Sequence, residues 1–338
     1  MPPFAKVQQQ RGAFMKKWLV ILLIVLLFGC GNGKNTETGW IDSDRGVYYL
    51  DENGMPLTGW QLLAGKRCYF DPKEGGILVT GWRLIEGNRY YFRPDHMGAM
   101  TTGWLDLPEG RYYFDSDGVM QTGWLLYEEK QYYLRPDGPM AVGRIQIAGE
   151  VYHFTSTGEP FLLVNLEYGV PEDYQAELVE LEGFRVSSEC VEQLRAMMGA
   201  CRAAGHLCQI NTAYRDWDYQ KILWDNRYNQ YITQGYMPEK AAAMTAQFVL
   251  PPGHSEHHTG LAVDITGTEE MYAWLEANAP EYGFILRYPE NETKWTGVSY
   301  EPWHFRYVGR ALAQELQSLG ITPEEYLYRL SAMESFSG

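Results

Sequence analysis

Four of the chain's seven histidines fall at positions 254, 257, 258 and 304, beside Asp264 and Glu301. Imidazoles and a carboxylate together are the ligand set of a hydrolytic zinc ion, which takes three protein ligands and keeps one position open for water. Leu261-Ala-Val-Asp-Ile265 reads as a short strand, with Leu261, Val263 and Ile265 on one face and Ala262 and Asp264 on the other. His304-Phe-Arg-Tyr-Val308 reads as a second strand, with Phe305 and Tyr307 toward the core and His304 opposite them. An Asp and a His on the non-core faces of two strands, joined by a loop His, suit a two-His, one-carboxylate zinc site. Glu301, three residues before His304, is then placed to act as general base, taking a proton from water and returning it to the leaving amine. The competing reading makes these plain surface or core polar groups. Their concentration in two short segments argues against it.

The elements that must carry these residues lie in 160–338. Cys190, Leu194, Met197, Met198 and Cys201 repeat at helical spacing and predict a helix over 188–204. Gln209-Ile-Asn-Thr-Ala213 predicts a strand, and further helices are expected from Asp216 to about Tyr231 and from Pro238 to about Phe248. Four cysteines follow Cys30: Cys68, Cys190, Cys201 and Cys208. On one helix Cys190 and Cys201 would stand about 16 Å apart, too far for a disulfide. No CxxC pair is present, so cysteine-ligated zinc is not expected and these thiols read as structural.

Ser255-Glu-His257-His-Thr-Gly260-Leu-Ala262-Val-Asp264 fits the pattern Ser-x-His-x-x-Gly-x-Ala-x-Asp, and Glu301-Pro-Trp-His304 fits Glu-x-Trp-His. In both motifs the chain resembles the VanY-type D-alanyl-D-alanine carboxypeptidases, zinc peptidases of the group that includes lysostaphin and the hedgehog domain. The likeness runs from about Leu162 to Leu330 and includes Val170–Tyr174, Tyr214-Arg215 and Tyr282–Pro289. It implies an α+β zinc peptidase domain, an antiparallel sheet with helices. It also implies one Zn2+ per chain held by His257, Asp264 and His304, with Glu301 as catalytic base. Arg215 would bind the developing oxyanion or the substrate's terminal carboxylate, as a fixed guanidinium suits both tasks. Ser255, Gln220, Tyr214 and Trp303 are the implied substrate contacts, with core packing an equal reading for Trp303. His254 and His258 stand where the family more often has Thr and Gln.

Upstream, Gly-Trp recurs at Trp40, Trp60, Trp82, Trp104 and Trp124, with a degenerate Gly143-Arg144 closing the series at a period of 20 to 22 residues. Aromatic runs recur between these steps, among them Tyr48-Tyr49, Tyr90-Tyr91-Phe92 and Tyr132-Tyr133. Asp-Gly turns such as Asp115-Ser-Asp-Gly118 follow, a hairpin signal. One hairpin per period cannot bury both its faces, so the units should stack into an all-β solenoid. The array resembles the cell-wall-binding repeats of choline-binding and glucan-binding proteins. In the choline-binding form a Trp usually opens the aromatic run and helps cage the quaternary ammonium. Here that place holds Val47, Arg67 or Cys68, Arg89, Arg111, Gln131 and Val151. The cage is incomplete, so wall carbohydrate or teichoic acid is the expected ligand of the five tryptophans. The plainer reading is that they staple one hairpin to the next. The Asp-x-Asp-Gly segments lack the Glu of a calcium loop and read as turns.

At the front, Lys16-Lys17 precede eleven apolar residues, Trp18 to Phe28. That is short of the roughly 20 needed to span a bilayer and has the layout of a secretory signal. Leu27-Phe28-Gly29-Cys30 resembles a lipobox, which implies acylation of Cys30 and a lipid anchor on the outer face of the membrane. Met15 reads as a more natural start than Met1. The expected layout is a signal at 1–29, a linker at 30–38, the repeat array at 39–159 and the peptidase at 160–338. The net charge of −15 becomes about −19 once the signal's four cations leave, which argues against nucleic acid as a partner. The substrate expected is the peptidoglycan stem peptide, trimmed of its terminal D-alanine. An L,D-carboxypeptidase acting on tetrapeptides is the alternative within the enzyme class, and a non-catalytic wall-binding protein the alternative outside it.

Overall fold

The computed structural model describes residues 37–335, so the expected signal and Cys30 lie outside the described residues. Among the described residues no helix is long and apolar enough to cross a membrane. The chain divides into two compact units, one up to Val79 and one from Thr80.

The first unit holds two antiparallel hairpins: β1 (Gly39–Ser43) with β2 (Gly46–Leu50), and β3 (Gly59–Leu63) with β4 (Lys66–Asp71), to which β5 (Ile77–Leu78) adds an edge. Its core is Cys68, Phe70 and Leu78, packed by Val47, Tyr49 and Leu57.

The second unit opens with four more hairpins. These are β6 (Gly81–Ile85) with β7 (Asn88–Arg93) and the edge β8 (Ala99–Met100); β9 (Gly103–Leu107) with β10 (Gly110–Phe114); β11 (Gly123–Tyr127) with β12 (Lys130–Leu134); and β13 (Gly143–Ile147) with β14 (Glu150–Phe154). Each Gly-Trp step begins a strand. In four of the hairpins the reversal is a two-residue turn with both φ angles positive: Ala64-Gly65, Glu86-Gly87, Glu128-Glu129 and Ala148-Gly149. That is the turn whose twist matches the strands. The Asp-x-Asp-Gly segments do a different job, folding the chain back for a single bridge such as Phe114 to Met120 before the next repeat. The Asp115 carboxylate accepts from the amides of Asp117 and Val119, both at 2.9 Å, so it closes a turn. Gly118, Gly138 and Gly158, all at positive φ, lie against Met100, Met120 and Met140, where a Cβ would collide. This glycine-on-methionine contact recurs every 20 residues and helps stack the hairpins.

The last array sheet takes a third strand, β15 (Pro160–Phe161), paired to β14. The expected boundary at 159/160 therefore falls between two strands of one sheet. Beyond it come the hairpin β16 (Leu178–Leu181) and β17 (Phe184–Ser187), then α1 (Val191–Ala203), β18 (Gln209–Thr212), α2 (Trp217–Thr233) and α3 (Pro238–Ala246). They are followed by β19 (Ala262–Thr266), α4 (Glu269–Asn278), β20 (Phe284–Leu286), the short α5 (Thr293–Thr296), β21 (His304–Tyr307), α6 (Arg310–Leu319) and α7 (Pro323–Ser335). The helices expected over 188–204, 216–231 and 238–248 form within a few residues of those limits. Asp216 caps α2 by accepting from the Tyr219 amide. The central sheet is antiparallel in the order β18-β19-β21-β20. Leu261, Val263, Ile265, Phe305 and Tyr307 face α1 and α4 in one apolar core, as the alternation requires. The other face of β19 and β21 is left for chemistry.

Candidate active site

Register makes the site. Asp264 on β19 and His304 on β21 are directly paired across the strands, so their side chains emerge side by side from the same face. His257 arrives from a 3-10 turn, Glu256–Thr259, that immediately precedes β19. One ligand atom from each of His257, Asp264 and His304 lies within 4.8 Å of the other two, and all three residues are buried. His257 Nε2 is 3.4 Å and His304 Nδ1 3.0 Å from the same oxygen, Asp264 Oδ1. The other nitrogen of His257, Nδ1, is 2.6 Å from the Ala213 carbonyl, which fixes its ring. Two imidazole nitrogens and a carboxylate oxygen thus converge, with the His257 ring held from behind by a backbone carbonyl. That donor set fits a zinc ion.

Glu301 Oε2 stands 3.8 Å from His304 Nδ1, beside the donor set and not in it. Burial pushes the Glu301 carboxyl up to about 7 against the lowering pull of His304. Burial drives His257 down to about 4, so its ring is neutral. It also opposes charge on His304, but Asp264 and Glu256 outweigh it and raise that ring to about 9. Asp264 is held well below the usual carboxylate range, because His257 and His304 overcome the cost of burying it.

Arg215 Nη2 donates to Asp264 Oδ2 at 2.8 Å, holding the oxygen that the imidazoles do not use. Its Nη1 is 3.4 Å from Gln220 Oε1, and Gln220 is anchored through Nε2 to the Leu250 carbonyl at 2.7 Å. Arg215, Gln220, Ser255, Glu301 and Trp303 line one cavity of about 250 Å³ with the three ligand candidates, and Tyr288 and Phe248 close its walls. Trp303 is 40% exposed, so it forms site wall and not core. Tyr214 is not among the lining residues; its ring lies under the Arg185 guanidinium at 4.6 Å. The extra histidines are occupied elsewhere. His254 Nδ1 meets the Asn165 carbonyl at 2.6 Å and His258 Nδ1 the Arg215 carbonyl at 2.9 Å, with Trp217 stacked on His258.

Sequence reasoning missed the layer behind His304. Glu256, Arg287 and Arg306 are buried charges packed under the site. The available signal was an ionisable residue inside an apolar run, as in Ile285-Leu286-Arg287-Tyr288 and Phe305-Arg306-Tyr307.

In the array each tryptophan meets aromatic rings, and in the second unit they come from two hairpins. Trp82 touches Tyr91 of its own and Tyr112 of the next, Trp104 touches Tyr113 and Tyr132, and Trp124 touches Tyr133 and Tyr152. These contacts staple consecutive hairpins. A guanidinium also lies over three of the indoles: Arg67 over Trp60 at 4.4 Å, and Arg89 over Trp82 and Arg111 over Trp104 at 4.8 Å. Trp40 and Trp124 are the more exposed, at 38% and 47%.

An α+β domain that gathers two imidazoles, a carboxylate donor, a second carboxylate and an arginine in one cleft has the build of a metallohydrolase. The family described as D-alanyl-D-alanine carboxypeptidase, VanY, matches residues 183–310, and models of a choline-binding repeat and a cell wall binding repeat match 109–145 and 80–95. A D-alanyl-D-alanine carboxypeptidase of Enterococcus faecalis is 38% identical over 173 residues, covering 49% of this chain and 65% of the relative, just under two thirds of its length. Putative carboxypeptidase YodJ of Bacillus subtilis is 31% identical over 191 residues, covering 50% of this chain and 67% of the relative. A solved D,D-pentapeptidase VanY mutant from a VanB-type resistance cassette, in complex with Zn(II), is 38% identical with a TM-score of 0.46, covering 49% of this chain and 97% of that one. The chain belongs to the VanY D-alanyl-D-alanine carboxypeptidase family and carries choline-binding-type wall repeats in front of that domain.

Proposed function

We propose that the chain is an exported zinc carboxypeptidase that removes the C-terminal D-alanine from peptidoglycan stem peptides and is retained at the wall by its repeats. The observation that carries the reading is the meeting of His257 Nε2, Asp264 Oδ1 and His304 Nδ1 beside Glu301 in one cavity. His257, Asp264 and His304 would hold one zinc ion per chain, which would supply Lewis acidity at the water and the scissile carbonyl. The chain's own groups do the rest. Glu301 accepts a proton from the attacking water and delivers it to the departing amine of D-alanine. Arg215, fixed by Asp264 and Gln220, presents positive charge to the substrate's terminal carboxylate or to the oxyanion that forms. Ser255 and Trp303 border the peptide, while Tyr214 packs its ring against Arg185 outside the cavity lining.

Residues 1–29 act as the export signal and Cys30 as the lipid attachment point, which puts the enzyme on the outer face of the membrane. The exposed aromatics of the array bind wall carbohydrate or teichoic acid. Holding the enzyme against its substrate raises the effective concentration without changing the site. The test is incubation of the purified chain with pentapeptide and tetrapeptide muropeptides, with and without chelation. Released D-alanine from the pentapeptide, abolished by chelator and restored by zinc, is the expected result. Release from the tetrapeptide alone would make it an L,D-enzyme, and no release from either would remove the catalytic reading.

A further inference from the structure

A metal-ligating imidazole works only if its second nitrogen is held, because that contact sets which nitrogen faces the metal and how the ring is turned. For His257 a backbone carbonyl does this. For His304 the second nitrogen, Nε2, is buried with no hydrogen-bond partner at standard geometry, and so is Glu256 Oε2; the two atoms face each other at 3.5 Å. A fully buried carboxylate is costly unless paired. Glu256 is paired: Arg287 Nε donates to its Oε1 at 2.8 Å and Arg306 Nη1 lies 3.3 Å away. Arg287, itself 0% exposed, turns its two Nη groups the other way onto Glu324, with Nη1 at 3.0 Å from Oε2. Glu324 sits in the first turn of α7 and also accepts from Asn165 Nδ2 at 3.0 Å. The line Glu324–Arg287–Glu256–His304 thus runs from the C-terminal helix to the donor set, hydrogen-bonded as far as Glu256 and closed by the 3.5 Å approach to His304. Its first member lies beyond residue 310, where the family match ends.

We propose that Glu256 is the positioning residue that sets His304 with Nδ1 toward the metal, and that Arg287 and Glu324 form a strut from α7 that holds Glu256 in place. The inference rests on the zinc reading above. An apolar residue at 256 would leave His304 Nε2 and Arg287 Nε without the carboxylate they face, and a neutral amide there could offer Nε2 a donor and so turn Nδ1 into the protonated nitrogen. Helix α7 is in this view part of the working enzyme and not a trailing segment.

The test measures zinc affinity of the full-length chain by competition with a calibrated chelator, alongside the melting temperature of the metal-free form. Glu256→Gln is expected to weaken zinc at least about tenfold, the usual effect of losing such a partner. Glu324→Gln keeps an acceptor but loses the charge, and is expected to weaken zinc about threefold to tenfold. Glu325→Gln, one position along α7 and paired to Arg329, is the control and should leave zinc affinity unchanged. A merely structural network would lower the melting temperature of the Glu256 and Glu324 variants while the folded fraction binds zinc as before, and that result overturns the proposal. If Glu256→Gln does not fold, the Glu324→Gln and Glu325→Gln pair decides. A wild-type chain that binds no zinc would refute the metal site itself, and the strut with it.

Discussion

Replacing Glu301 by Gln separates the base from the metal site more cleanly than any other change. The amide keeps the size and hydrogen-bonding shape of the side chain but cannot accept a proton. In the structure Glu301 is outside the donor set, 3.8 Å from His304 Nδ1, with a side chain only 12% exposed. Burial lifts its carboxyl to about 7, which makes it a stronger base than a solvated carboxylate. A positioned general base is worth about 10²- to 10⁴-fold, or about 3 to 5 kcal/mol of barrier. Because Glu301 sits where a base is most effective, the loss in kcat is expected near the upper end, about a thousandfold or more. Zinc content should stay at the wild-type level, since all three ligand atoms remain. The assay is D-alanine release from a soluble pentapeptide, with metal analysis of the same preparation. A Glu301→Gln chain that keeps its zinc and turns over within about tenfold of wild type would sink the assignment.

Other consequences can be checked independently. Gly138→Ala places a Cβ 2.5 Å from Met120 Sδ and 2.9 Å from the Tyr112 ring at a φ of +118°, and should destabilise the array by about 1 to 3 kcal/mol in calorimetry; an unchanged transition would discount the glycine-on-methionine stacking. Trp124→Ala, at the most exposed indole of the array, should lower retention on isolated walls while leaving turnover of a soluble peptide intact, and equal retention would leave Trp124 a staple only. His153 is buried and driven from 6.5 down to about 4 by burial, so the unfolded chain binds its proton first. Its contribution is complete above about pH 6.5 and lost as pH falls toward 4, up to about 3 kcal/mol. His153→Leu should flatten unfolding free energy against pH in that window, and an unchanged slope would refute the assignment.

How much could be read beforehand differs from residue to residue. Strand alternation alone put Asp264 and His304 on the non-core faces of two strands, and their direct pairing in the sheet is what that reading required. His257 was separable from His254 and His258 by motif spacing, and the structure gives the reason: His257 is the one that turns Nε2 to Asp264 and joins His304 in the donor set. Tyr214 is implied as a substrate contact by the family's Tyr-Arg segment; its ring lies against Arg185, outside the cavity lining. The turn inside each hairpin was misplaced. Asp-x-Asp-Gly is the louder signal, while pairs such as Glu128-Glu129 take positive φ with no glycine at all, because the register of two aromatic strands demands it.

The sequence by itself determined the repeat period, the two short strands that carry Asp264 and His304, and the candidate site residues, since each depends on spacing along the chain. Tertiary structure alone decided which nitrogen of each histidine faces the site, that Arg215 grips Asp264, and that the guanidinium groups of Arg67, Arg89 and Arg111 lie over indoles of the array. It alone joined Glu256, Arg287 and Glu324 into one buried line behind His304. Those contacts link residues up to 49 positions apart. Local propensity carries no information about such pairs, because their energy exists only once the sheet has closed and water has been excluded from around the charges.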